Sequence, residues 1–156
     1  MGNSVINELK RRILNKNATS QKGVSNAALS LKGFEEYRSL KKEESFSDAV
    51  DKYIRDKNIK ASDLYNKAYV DRRVYSKMAN KDYRISKNTA ICFCLAMELS
   101  LFETQDMLKR LGYTLSNSED FDIVISYCLE NRIYDILKIN DYLKDLKLPM
   151  LGKKIE

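Results

Sequence analysis

Histidine and tryptophan are absent from the 156 residues, and proline occurs once, at Pro149. Only five glycines accompany it. A many-stranded sandwich or barrel needs more turn-forming residues than this, so the composition favours an all-α fold. The lack of histidine also removes the commonest general base and the mixed Cys/His zinc sites.

Sequence patterns typical of catalytic or metal-binding sites are scarce as well. The cysteines Cys92, Cys94 and Cys128 lie in apolar segments, as is typical of buried free thiols in a reducing compartment. We find no pairing of a nucleophile with a base, no metal-ligand spacing and no glycine-rich phosphate loop, so we expect a protein that is not an enzyme and needs no cofactor or metal. No apolar run approaches the ~20 residues of a membrane span, and no secretion signal opens the chain. We therefore predict a cytoplasmic protein with no membrane partner.

Positive charge is the feature that the sequence does have. Lys and Arg number 28 against 22 Asp and Glu, which gives a net charge of +6. Within residues 72–87 one acidic residue, Asp82, accompanies six basic ones: Arg72, Arg73, Lys77, Lys81, Arg84 and Lys87. Most such runs are solvated helix faces, and a surface that binds nucleic-acid phosphates is the alternative.

The chain divides into three segments by pattern. Residues 1–45 form a basic N-terminal extension, in which we predict a short helix over 5–13, a polar loop, and a weak helix over 27–42 that Gly33 interrupts. Residues 46–115 carry the strongest helical periodicity. Residues 116–156 are a C-terminal helical extension, with enough apolar residues to pack on the preceding helices and too few to fold alone.

The middle segment opens with helical spacing on one face, through Phe46, Ala49, Val50, Tyr53 and Ile54. This pattern predicts a first helix that ends near Asn58. Ser62 is then expected to cap a second helix, and Asp71 a third that runs to about Asn80.

Further capping residues follow. Ser86 is expected to cap a fourth helix, which is apolar on all sides over residues 90–97 and should therefore be buried on all sides. Ser100 and Glu103 have the spacing of a capping box for a fifth helix that stops at Gly112. Ser116 and Glu119 repeat that spacing ahead of a sixth helix. Residues 133–137 and 141–146 are then expected to form one broken helix or two short ones.

Apolar residues recur at Ile59, Leu64, Val70, Tyr75 and Met78. A basic loop and the next helix follow, with Lys81, Arg84, Ser86, Thr89 and Ser100 at the positions where their types are expected. In this pattern residues 59–100 resemble the λ-repressor-like, XRE-family helix-turn-helix, and the resemblance extends over about 46–113.

The chain departs from that family at four positions. Tyr69 stands where the turn usually has glycine, Ile85 where proline is usual, and Glu98 where a second glycine is usual. Ala61 replaces the Gln that often contacts a phosphate. A bulky residue at the turn needs either a different local backbone or a strained φ.

The resemblance implies a five-helix domain with a recognition helix over about 71–80 that enters the major groove of DNA. Base or backbone contacts are then expected from Arg72, Arg73, Ser76 and Lys77, and phosphate contacts from Lys81, Arg84 and Lys87.

Two functions fit these observations. The first is a DNA-binding protein for transcription regulation, acting as a homodimer on double-stranded DNA, with residues 116–148 as its dimerisation or lid element. The second is a protein-binding module or inhibitor, antitoxin-like or anti-defence, which holds an acidic protein partner on a helix-turn-helix scaffold.

Overall fold

A computed structural model of the protein describes residues 7–9, 11 and 26–152. The regular secondary structure in these residues is α-helical, which confirms the all-α class. Most of the short helix predicted over 5–13 lies outside the described residues. The chain separates into two compact units, Met1–Glu43 and Glu44–Glu156.

The first unit contains one long helix, α1 (Asn26–Lys41). It runs through Gly33 without a break, so the predicted interruption is wrong. A glycine inside a helix costs only about 1 kcal/mol relative to alanine, which is too little to end a helix of this length.

The second unit contains seven helices in its described residues. In order they are α2 (Phe46–Lys57), α3 (Ala61–Lys67), α4 (Arg72–Lys77), α5 (Lys87–Ala96), α6 (Leu101–Arg110), α7 (Asp120–Glu130) and α8 (Ile136–Asp145).

Helix α5 is the centre of this unit. Every residue from Ala90 to Ala96 is buried, as its uninterrupted apolar run predicted. The ring of Phe93 meets that of Phe46 edge to face, with centroids 6.3 Å apart, and so joins α5 to α2. The three cysteines are buried free thiols, and burial raises the pKa of Cys92 to about 12.

Three predicted helix starts are confirmed. The Asp71 carboxylate accepts the Arg73 backbone N–H at 2.8 Å, and the Ser86 hydroxyl accepts that of Thr89 at 3.1 Å. Ser100 and Glu103 form the full capping box, with both bonds at 3.1 Å. These caps satisfy N–H groups that have no partner inside their helices.

Two other predicted starts are wrong, and an aspartate binds a backbone N–H near each of them. Helix α3 begins at Ala61 rather than after Ser62, and the Asp63 carboxylate accepts the Lys60 N–H at 3.2 Å. Helix α7 begins at Asp120. The Ser116 N–H that was expected to meet Glu119 donates instead to Asp122, at 2.8 Å.

Two further boundaries differ from prediction. Helix α4 ends at Lys77 rather than near Asn80. The last part of the chain forms a single helix, α8, rather than two pieces. Asp135 caps it by accepting the Leu137 N–H at 3.0 Å, so the helix starts later than the predicted position and continues without a break.

Six helices end in the same way, with a residue in the left-handed conformation: Asn58, Tyr69, Glu98, Gly112, Arg132 and Lys147. After each of them an apolar residue donates its N–H to the carbonyl five residues earlier, as Val70 does to Tyr65 at 2.9 Å. These are Schellman motifs, in which the apolar residue packs back onto the helix. Only one of the six is a glycine, so the other ends carry backbone strain.

Glu98 offers a clean test of that strain, because its φ is +54° and its side chain is exposed. We expect Glu98→Gly to raise the free energy of unfolding by about 1 kcal/mol, since glycine adopts this conformation without the steric cost. Glu98→Ala is the control, because it removes the same carboxylate and keeps a Cβ. Urea unfolding measures both, and equal effects of the two substitutions would contradict the strain account.

Candidate nucleic-acid interface

The turn between α3 and α4 is built on Tyr69. Its φ is +54°, so of the two predicted alternatives, a different local backbone or a strained φ, the structure has the strained φ. Val70 follows and is 5% exposed, so its side chain anchors the turn in the hydrophobic core. Asp71 then caps α4 and fixes where that helix begins.

The inner face of α4 is anchored through Tyr75. Its ring packs against Tyr65 of α3, with centroids 5.4 Å apart, and against Phe93 of α5, at 6.5 Å. Its hydroxyl donates to the Asp51 carboxylate of α2 at 3.2 Å. Burial, and then the negative charge of Asp51, raise the pKa of Tyr75, so the phenol keeps the proton that this bond uses. Three helices therefore hold α4 through one side chain.

The outer face of α4 exposes the four residues predicted for it: Arg72, Arg73, Ser76 and Lys77. The Arg73 side chain remains 88% exposed, although its Nε lies 3.4 Å from the Asp71 carboxylate. The ammonium of Lys77 lies 5.7 Å from the centroid of the Tyr83 ring. The two arginines are thus on the surface of the second unit and available to an anionic ligand.

The two predicted cations in the loop after α4 differ in their contacts with the rest of the protein. Lys81 is exposed. Arg84 packs its guanidinium 4.5 Å from the centroid of the Tyr113 ring and donates to the carbonyl of Leu111. Arg84 therefore ties the loop to the end of α6, while the residue stays exposed and keeps further guanidinium donors for the predicted phosphate contact.

Lys87 is also engaged within the protein. Its ammonium donates to the Asp122 carboxylate at 2.7 Å, and that carboxylate is 3% exposed. Asp122 accepts the Ser116 N–H at the same oxygen. The ion pair joins the start of α5 to the start of α7, so the phosphate contact predicted for Lys87 would compete with this pair.

Sequence reasoning missed the partners of these two cations. Tyr113 and Asp122 lie 29 and 35 residues beyond Arg84 and Lys87, a separation at which no local spacing reveals a contact. The tyrosine could only be read as a core residue, and the aspartate only as one more acid in a helix.

The C-terminal extension was predicted to mediate dimerisation. Its helices expose large apolar side chains at Ile123, Tyr127, Leu137 and Leu146. This composition is compatible with an interface, and dimerisation stays a prediction.

A second surface feature lies between α2 and α6. A cavity of about 240 Å³ is lined there by Ala49, Tyr53 and Phe102, among others, and Phe102 is 84% exposed. Asp106 and Arg110 at its rim are bonded to each other at 3.1 Å, so their charges are already paired.

No family model, curated protein or solved structure matches this chain. Among the described helices, none has both the length and the apolar character needed to cross a bilayer. No group of three or more potential metal ligands occurs in the described part of the chain.

The pair between Lys87 and Asp122 generates a test of whether Lys87 is structural. We expect Lys87→Met to lower the free energy of unfolding by about 2 kcal/mol, because it strands a buried carboxylate. In an Asp122→Asn background, Lys87→Met should lower the free energy of unfolding much less. Denaturant unfolding of the four proteins measures the coupling, with Lys138→Met as a control for loss of an exposed cation. Equal costs in both backgrounds would show that the ion pair does not stabilise the fold.

Proposed function

We propose that this protein is a DNA-binding regulatory protein of the helix-turn-helix type, in which α4 is the recognition helix and enters the major groove. The proposal rests on the difference between the two faces of α4. Its outer face exposes Arg72, Arg73, Ser76 and Lys77 together, while Tyr75 anchors its inner face. The resemblance of residues 59–100 to the XRE family supports the same assignment.

The chemistry of the exposed side chains fits a duplex. A guanidinium has parallel donors that match O6 and N7 of guanine, and the first turn of a recognition helix is where such groups reach base edges. Arg72 and Arg73 occupy that turn. Lys77 and Lys81 are point charges without this geometry, so we assign them to phosphates.

The anchoring of α4 also matters for affinity. A helix that is fixed before binding loses little conformational freedom when it docks, so more of the contact energy appears as affinity. The bonds of Tyr75 to three neighbouring helices provide this fixed placement. The ion-paired Lys87 is left out of the proposed interface and acts as part of the scaffold, whereas the exposed Arg84 keeps guanidinium donors that can contact a phosphate.

The test is a salt titration of binding to a mixed-sequence DNA duplex. We expect Arg72→Ala/Arg73→Ala to weaken binding at least about tenfold at low salt, since each lost charged contact costs on the order of 1 kcal/mol or more. The slope of log K against log salt should fall by about one for each arginine that contacts a phosphate.

The matched control is Lys138→Ala/Lys144→Ala, which removes two exposed cations from α8. This variant has the same net charge as the double arginine variant, so long-range attraction is reduced equally. We expect it to bind nearly as the wild type does. Binding by the arginine variant that equals that of the control would remove α4 from the interface.

A further inference from the structure

The residues after α8 form an extended segment, 148–152, that we call the strap. It contains the single proline and is not helical, and no pattern in the sequence assigns it a role. Leu151 in its centre is nevertheless 1% exposed, whereas the neighbouring Met150 is 50% exposed. One side chain of the strap is therefore inserted into the second unit while its neighbour points outward.

Asn140 of α8 binds the backbone of Leu151 through both halves of its amide. Its Nδ2 donates to the Leu151 carbonyl at 3.0 Å, and its Oδ1 accepts the Leu151 N–H at 2.7 Å. An asparagine side chain has a donor and an acceptor in the same arrangement as a peptide group, so it can take the place of a neighbouring strand.

Asn88 of α5 does the same for the two residues that flank Leu151. Its Nδ2 donates to the carbonyl of Met150 at 3.0 Å, and its Oδ1 accepts the N–H of Gly152 at 3.1 Å. Two asparagines on two helices thus satisfy four consecutive polar groups of the strap. Backbone hydrogen bonds combined with side-chain pockets are one recurring way in which proteins bind extended peptides.

The end of the strap lies against the turn that leads into α4. A Cβ added to Gly152 would be 3.0 Å from the Cβ of Tyr69 and 3.4 Å from its carbonyl oxygen. Gly152 itself has φ +79°, so both the space and the backbone conformation require glycine. The strap is therefore in contact with Tyr69, the strained residue that sets the direction of the chain between α3 and α4.

We propose that Asn88, Asn140 and the pocket of Leu151 form a peptide-binding groove whose occupant is the strap, and that the occupied groove positions α4. The strap supports the Tyr69 turn from outside, while Tyr75 holds the helix from inside. Asn88 and Asn140 are positioning residues in this account, because they act on α4 through the strap and the turn. The effect on the turn stands by itself, and the effect on DNA binding rests on the proposed function.

The experiment uses the full chain with Leu151→Gln, which places an unpaired polar group in the pocket without changing the net charge. We expect the strap to leave the groove, and amide hydrogen exchange at Tyr69, Val70 and Tyr75 to become about tenfold faster or more. Affinity for the duplex should fall while the salt slope stays the same, since no cation is lost. Leu40→Gln is the matched control, because Leu40 is 78% exposed and lies outside the proposed DNA and dimer surfaces.

A synthetic peptide of residues 148–156 is then added to the Leu151→Gln protein. We expect it to enter the vacated groove and to return both the exchange rates and the affinity to the wild-type values. A peptide with the same Leu151→Gln substitution carries the same charge and should restore neither. Should circular dichroism show that Leu151→Gln disturbs the helices, Leu151→Ala provides the same comparison with a milder change.

Two results would overturn the inference. One is unchanged exchange at Tyr69, Val70 and Tyr75 in a variant whose own strap amides have lost protection. The other is a wild-type peptide that fails to restore slow exchange in the released variant. If the wild-type protein binds no duplex at all, the proposed function fails, and the exchange measurements still decide whether the strap positions α4.

Discussion

The contact between the rings of Phe93 and Tyr75 determines where α4 lies. Phe93 is completely buried in the middle of α5, and its position is fixed because the apolar residues around it bury that helix on all sides. Tyr75 packs against this ring and bonds to Asp51, so the inner face of α4 has one place to dock. The outward direction of Arg72 and Arg73 follows from that docking, because residues on opposite sides of one short helix cannot both face the core.

Helix placement could be predicted from the sequence wherever the cause was local. The burial of α5 followed from an apolar run, and the caps at Asp71, Ser86 and Ser100 followed from spacing. The same reasoning failed at Ser62 and Ser116, where Asp63 accepts the Lys60 N–H and Asp122, rather than Glu119, accepts the Ser116 N–H. Spacing alone does not reveal which of two nearby oxygens reaches the backbone.

The candidate interface was predictable to a lesser extent. Exposure of the cations on α4 followed from helical periodicity, whereas Arg84 and Lys87 looked equally available and are held by Tyr113 and Asp122. Those partners come close only once the chain has folded. Nothing in the sequence predicted the strap, because Asn88 and Asn140 are 52 residues apart and form no recognisable motif. The tertiary structure shows which cations contact other groups of the protein and which are exposed on the outer face of α4.

The most direct measurement of the central claim is an NMR titration of isotopically labelled full-length protein with duplex DNA. The account predicts that the largest chemical-shift changes fall on the amides and side chains of Arg72, Arg73, Ser76 and Lys77. Amides of α7 and α8 should move little. Binding of the duplex with its shift changes confined to α7 and α8, or with α4 unaffected at saturation, would contradict the account.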